Sequence, residues 1–238
     1  MWAWIAFLAT TSSTLLWMSR DQPFPEISAR WGWIILLISG ILAIATQSPR
    51  ATNEYLAPIL SAAIGGLGVV IGVRHSSITK RDVLVAPFAG LWLAVGTITL
   101  LTKTWPDYNQ TEQITGFILA TLVVALETFL FWKGLIIGIQ GVTWSQAALR
   151  QLDRGLIVGD RGSISMFEKS WDVEESWLDA MSHAALYRIH EHQNNPKLAA
   201  KHAQLLERLG GEEVVDSAWL ETIDKCIKRL KKPILEEE

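Results

Sequence analysis

ITGFILATLVVALETFLFWKGLIIGIQGVTW, from Ile114 to Trp144, is 31 residues of almost unbroken apolar sequence carrying one carboxylate, Glu127, and one ammonium, Lys133. As a single helix it would reach ~46 Å at ~1.5 Å per residue. A bilayer core is crossed by ~20 apolar residues, so the stretch overshoots a membrane, tilts or breaks. It also divides the chain. Residues 1–144 hold 8 Lys/Arg and 7 Asp/Glu in a largely apolar sequence, whereas residues 145–238 hold 13 and 17. The pattern predicts an all-α protein: a polytopic membrane helical bundle over 1–144 and a small helical domain over 145–238.

Working back from Ile114, four further apolar runs precede it. With it they predict five spans, at about 2–18, 31–47, 56–73, 83–101 and 114–134. The first is short and polar at its centre, where Thr10, Thr11, Ser12, Ser13 and Thr14 are consecutive. Nothing basic precedes Arg20 and no small-residue cleavage pattern follows, so a retained span is expected rather than a secretory signal. The lead-in to the second, RDQPFPEISAR, holds Pro23 and Pro25 and is expected to be an extended loop. In the third, Ser61, Gly65, Gly68 and Gly72 recur at steps of three and four. In the fourth, Ala86, Gly90 and Ala94 lie four apart. Such small residues let helix backbones approach within a membrane.

Orientation follows from the basic residues of the short loops. Arg20, Arg30, Arg74, Lys80 and Arg81 fall in loops on one side, with Lys133 at the end of the last span. Arg50 and Lys103 fall on the other side. This predicts an amino terminus outside and a cytoplasmic carboxy-terminal domain. Trp2, Trp4, Trp17, Trp31, Trp33, Trp105, Trp132 and Trp144 flank the apolar runs as aromatic belts would. Trp171, Trp177 and Trp219 suit a soluble core instead.

Beyond Trp144 the sequence turns polar. SQAALRQLDR reads as a short helix closed by Gly155. Leu156 to Phe167, two β-prone runs around Gly-Asp-Arg-Gly, suggests a small β-hairpin. Three helices are expected next. Trp171–His192 carries the stripe Trp171, Leu178, Met181, Ala185 and Ile189. A second begins at Asn195-Pro196, a cap followed by proline at the first helical position. It faces Leu198, Leu205 and Leu209 inward. The third carries Val215, Trp219, Ile223, Cys226 and Leu230, with Glu212 and Glu213 at its positive end.

Chemistry-bearing candidates are few. Glu127 is the sharpest, because a carboxylate in a span costs roughly 2.5–3.5 kcal/mol on insertion scales and normally faces protein or water. On a wheel of ~100° per residue it shares a line with Gly116, Ala120, Gly134, Gly138 and Gly141. Those small residues make a candidate packing face. Glu127 is expected to meet Thr11, Ser12, Ser13 and Thr14 at similar depth, either as a structural hydrogen-bonding lock or as a binding or proton-handling group. Asp179, His183 and His190 fall on the flank opposite their helix's apolar stripe and read as solvated, with His202 half-buried. Their spacing matches no zinc pattern, and Cys226 reads as an inert core thiol.

No nucleophile elbow, phosphate loop or dinucleotide fingerprint is present. No catalytic residue, metal ligand or cofactor is therefore assigned. The net charge of −3 gives no basic footprint for nucleic acid. The expected partners are the lipid bilayer and other membrane-protein subunits, or a second copy. The expected role is a non-enzymatic scaffold or assembly factor whose tail docks partners, with a small transporter or channel using Glu127 as the alternative.

Overall fold

The computed structural model describes residues 1–49, 51–136, 141–171 and 176–230. It is helical throughout, with no strand among the described residues. The chain divides into two compact units, Met1–Ile139 and Gln140–Glu238.

In the first unit, α1 (Trp2–Ser19) pairs with α2 (Pro25–Ala45), and α3 (Leu56–Val73) pairs with α4 (Val85–Thr104). A π turn over Arg74–Ile78 extends α3, and a 3-10 turn over Trp105–Asp107 extends α4. Next comes α5 (Gln110–Phe131), ending in a π turn over Trp132–Ile136. Four of these elements are long and apolar enough to cross a membrane: Pro25–Ala45, Leu56–Ile78, Val85–Asp107 and Gln110–Ile136. The hydroxyl-rich α1 is not among them.

The small residues place the backbones. A methyl at Gly65 would fall on the backbone of Leu93, and one at Gly72 on that of Ala86. One at Gly96 would lie 2.6 Å from the Ala62 nitrogen. The α3–α4 contact is thus backbone against backbone, the approach that small residues permit without a hydrophobic driving force. Ser61 Oγ adds a 2.8 Å bond to the Trp92 carbonyl. On α1, Leu8, Ser12, Leu15 and Ser19 form one buried stripe, and Ser39 Oγ of α2 donates to the Ile5 carbonyl at 3.0 Å.

Two expectations are corrected here. Helix α2 begins at Pro25, well ahead of Trp31, because proline at the first helical position needs no N–H partner and arrives with a helical φ; buried Phe24 anchors the entry. Arg30 therefore lies on a helix, not in a loop. The belt is also incomplete: Trp2, Trp17, Trp33 and Trp132 are exposed, but Trp31 is buried.

The connecting segments sort into two ends. Arg81 lies over the Phe24 ring at 5.6 Å, and Lys133 Nζ donates to Ser77 Oγ at 3.0 Å. At the other end Lys103 pairs with Glu54 and lies over the Tyr55 ring. Asn109 caps α5 through a reciprocal box with Glu112, each backbone N–H donating to the other's side chain.

The second unit comprises α6 (Gly141–Asp153), α7 (Ser163–Trp171), α8 (Ser176–His192), α9 (Pro196–Arg208) and α10 (Ser217–Arg229), with α8 packed by all the others. Its core includes Leu152, Phe167, Leu178, Leu186, Ile189 and Ile223. Asn195 Oδ1 accepts from the Leu198 N–H as a cap, and Gly155 closes α6 at φ +75°.

The hairpin over Leu156–Phe167 is not formed. Leu156–Gly162 is a loop, and α7 starts at Ser163 because Ser163, Met166, Phe167 and Ser170 bury at helical spacing. Glu212 and Glu213 do not open the last helix either. They belong to a 3-10 turn over Glu212–Val214, and Asp216 caps α10 by accepting from the Ala218 N–H at 2.8 Å. Asp216 reaches an N–H of the first turn that Glu212 and Glu213, four and three residues earlier in the chain, do not.

Candidate functional site

The buried positions of α5 are Gly116, Val123 and Leu130, followed by Gly134 in its π turn, with Ala120 and Glu127 half-buried between them. The steps of four and three make one narrow seam, the pattern of a helix touching a single neighbour. That neighbour is α4. Glu127 lies over Gly90, where a methyl would land on the carboxylate, and Leu130 sits beside it. Further along, a methyl at Gly134 would lie 2.5 Å from the Val83 carbonyl and 2.8 Å from the Pro87 ring. Glycine at both places lets the end of α5 press onto the start of α4.

Beside this seam is a groove of about 350 Å³ lined by Ala94, Val124, Glu127, Thr128, Phe131, Trp132 and Ile136. It is apolar except at two side chains. The Thr128 hydroxyl is committed to its own helix, donating to the Val124 carbonyl at 2.8 Å. Glu127 Oε2 is buried and has no hydrogen-bond partner. The nearest cation along α5, Lys133, is engaged with Ser77. Glu127 Oε2 is turned onto Gly90, and the Glu127 carboxylate as a whole is the acceptor that lines the groove.

The α1 hydroxyls go elsewhere. Thr11 Oγ1 accepts from Trp92 Nε1 at 2.8 Å and donates to the Phe7 carbonyl at 2.8 Å. Ser12 is buried and donates to Ala9; Thr14 is exposed and donates to Thr10; Ser13 is exposed. Gly90 and Trp92 are two residues apart on α4, so they point ~200° apart. Glu127 and Thr11–Thr14 thus meet opposite sides of the same helix, not each other. Depth was readable in the sequence, but the intervening helix was not.

The small-residue face is likewise divided. Gly116 packs near Leu101, Trp105 and Tyr108, and Ala120 and Gly134 continue the α5 seam. Gly138 lies outside the described residues. Gly141 opens α6 and is buried within the second unit.

A second constellation departs from its sequence reading. His183, His190 and His202 are buried between α8 and α9, contrary to the solvated flank expected for the first two. His183 Nδ1 and His202 Nδ1 lie 3.2 Å apart, and the His190 and His202 rings stack at 5.5 Å and 13°. The cause is the roll of α9: it buries Ala199, His202 and Leu206, leaving Leu198, Leu205 and Leu209 half-buried. Burial pushes all three imidazoles down, His202 to about 4, with neighbouring His183, His190 and Lys201 adding to it. Among the described residues no group of three or more His, Cys, Asp or Glu is placed to hold a metal ion. Cys226 is buried on the core face of α10.

One further acid is buried. Asp82 joins the third and fourth apolar elements and its Oδ1 accepts from the Leu84 and Val85 N–H groups at 3.0 and 2.8 Å. Burial raises its carboxyl, with those N–H groups and Ser28 opposing. It is a cap for α4.

No family model, curated protein or solved structure matches this chain.

Proposed function

We propose that this protein is a non-enzymatic membrane scaffold, an assembly or interaction factor that joins another membrane complex through α5. The observation carrying the reading is an imbalance. Only 17% of the apolar window of α5 is buried, against 50% for α4, yet α5 holds the bundle's intramembrane carboxylate. Phe117, Leu122, Phe129 and Trp132 are all more than half exposed on it. Lipid alone satisfies an apolar face but offers a buried carboxylate no partner.

In this reading α1 is a fifth span. Its 18 residues lie along α2, and its hydroxyls bond carbonyls within reach, as spans require. The amino terminus is outside and the second unit cytoplasmic, where its helices dock further partners. Support comes from the basic residues: Arg20, Arg74, Lys80, Arg81 and Lys133 belong to the end where Arg81 meets Phe24.

The test is co-purification from native membranes after gentle solubilisation. A reproducible complex, lost when Phe117 and Leu122 are both replaced by alanine, is the expected result. A protein that runs alone rules the reading out. A carboxy-terminal reporter fusion tests the orientation, and a tail found outside overturns it.

A further inference from the structure

Resting on that reading, we infer that the groove beside Glu127 receives a basic side chain, lysine or arginine, projecting from a transmembrane helix of a partner chain. The groove supplies three things such a side chain needs. One is an acceptor, the Glu127 carboxylate, which lines the groove. Another is an apolar trough, Val124, Phe131 and Ile136, for the methylene stem, which long basic side chains lay along apolar surface. The last is an aromatic wall, Trp132, since cations over indole gain further attraction.

Other occupants fit less well. Acyl chains carry no donor. Lipid headgroups stay at the surface, whereas Glu127 lies six residues inward of Lys133, ~9 Å along the helix. The two lysines borne by α4 and by the end of α5 do not serve. Lys133 is engaged with Ser77, and Lys103 with Glu54 at the opposite end. A lysine or arginine on a foreign span satisfies both its own desolvation and that of Glu127, which explains why an otherwise lipid-like face retains a carboxylate.

The experiment uses the full chain, fluorescently labelled at its amino terminus, in phosphatidylcholine vesicles with acceptor-labelled polyleucine transmembrane peptides. The peptides carry Lys, Gln or Leu at the depth of Glu127. Association by energy transfer is expected to be on the order of tenfold stronger for the Lys peptide than for the Leu peptide. The preference should vanish in Glu127→Gln, whose circular dichroism and gel-filtration profile show whether it still folds; Glu127→Asp should retain part of it. Equal association of the Lys and Leu peptides, association of none, or a preference surviving Glu127→Gln overturns the proposal. A Glu127-dependent energy transfer between two labelled copies of the protein, without peptide, also overturns it in favour of self-association. These outcomes are independent of native co-purification. A stable native complex with no Lys preference leaves the scaffold reading standing and removes this one.

Discussion

The two sides of α4 are built to opposite rules. Toward α3 the close approaches set glycine on backbone or, at Gly68, on the Ala89 methyl, and a methyl at Gly65, Gly72 or Gly96 has nowhere to go. Toward α5 the same helix offers Gly90, but a carboxylate fills the space and a groove opens beside it. One side is a finished interface. The other touches α5 along a single seam and leaves a polar atom without a partner. The difference separates what holds the bundle together from what the bundle holds out to others.

The sharpest way to break the comparison is to spoil the finished side. Gly72→Leu should cost well over ~3 kcal/mol, because overpacking here strikes backbone that cannot rotate away. It is measured as loss of a monodisperse protein after solubilisation. Gly116→Ala on the α5 side is the contrast: a methyl there meets its nearest atoms at 3.4–3.8 Å, ordinary contact, so the effect should stay within about 0.5 kcal/mol. Equal damage from both changes would remove the distinction.

A different weakness is built into the second unit. Three imidazoles buried between α8 and α9 are neutral in the folded protein, with pKa values below the ordinary ~6.5 of an unfolded chain. Between that value and about 4, the figure for His202, the unfolded state binds more protons. Stability therefore falls as pH drops through this window and is untouched above it. Charged groups facing the cluster are Lys201 on α9, which works with this trend, and Glu168 on α7, which opposes it at His190. Acidifying from pH 7 to 4.5 should cost this unit about 2 kcal/mol. It reads out as faster amide exchange in α8 and α9 while α3 and α4 stay protected. His202→Gln should flatten the profile.

These regions also differ in how much their sequence gave away. Gly65, Gly68 and Gly72 announce a close-packed face because no other function explains them, and α3 uses them as expected. Gly90 belongs to the same kind of pattern but faces α5, and only the roll of α4 decides that. The same missing quantity misplaced the histidines: a wheel assigns faces within one helix, but the neighbour that covers a face comes from elsewhere in the chain. For Leu156–Phe167, β-prone residues outweighed the spacing of Ser163, Met166, Phe167 and Ser170, a four-position signal too short to stand out against propensity. Glu127 was legible as an anomaly, since a charge in a span is expensive wherever it points. Its partner was not, because depth alone cannot tell which helix intervenes.

A smaller effect tests whether α1 belongs to the finished side. Trp92 is 1% exposed and gives its indole N–H to Thr11. Thr11→Val leaves that donor buried and unpaired, at a cost of ~1–2 kcal/mol. Trp92→Phe removes donor and ring bulk together, so the double variant should be less destabilised than the two single changes added, a coupling measurable in a double-mutant cycle by thermal unfolding in detergent. Additive losses would mean that the bond contributes nothing to holding α1.

The smallest expected effect bears on the open side. Glu127→Leu removes the unpartnered carboxyl and fills apolar space between Gly90 and Leu130. If the seam existed to stabilise the bundle, this change should weaken it. The orphaned oxygen argues the reverse, because replacing a buried unsatisfied group by an apolar one of similar shape is neutral or stabilising. The expected outcome is an unfolding free energy in detergent that is unchanged or raised by about 0–1 kcal/mol, together with weakened native complexes. A clear loss of thermal stability would make Glu127 part of the bundle's own structure. In that case the two sides of α4 would differ in degree only, and the groove would hold nothing out to a partner.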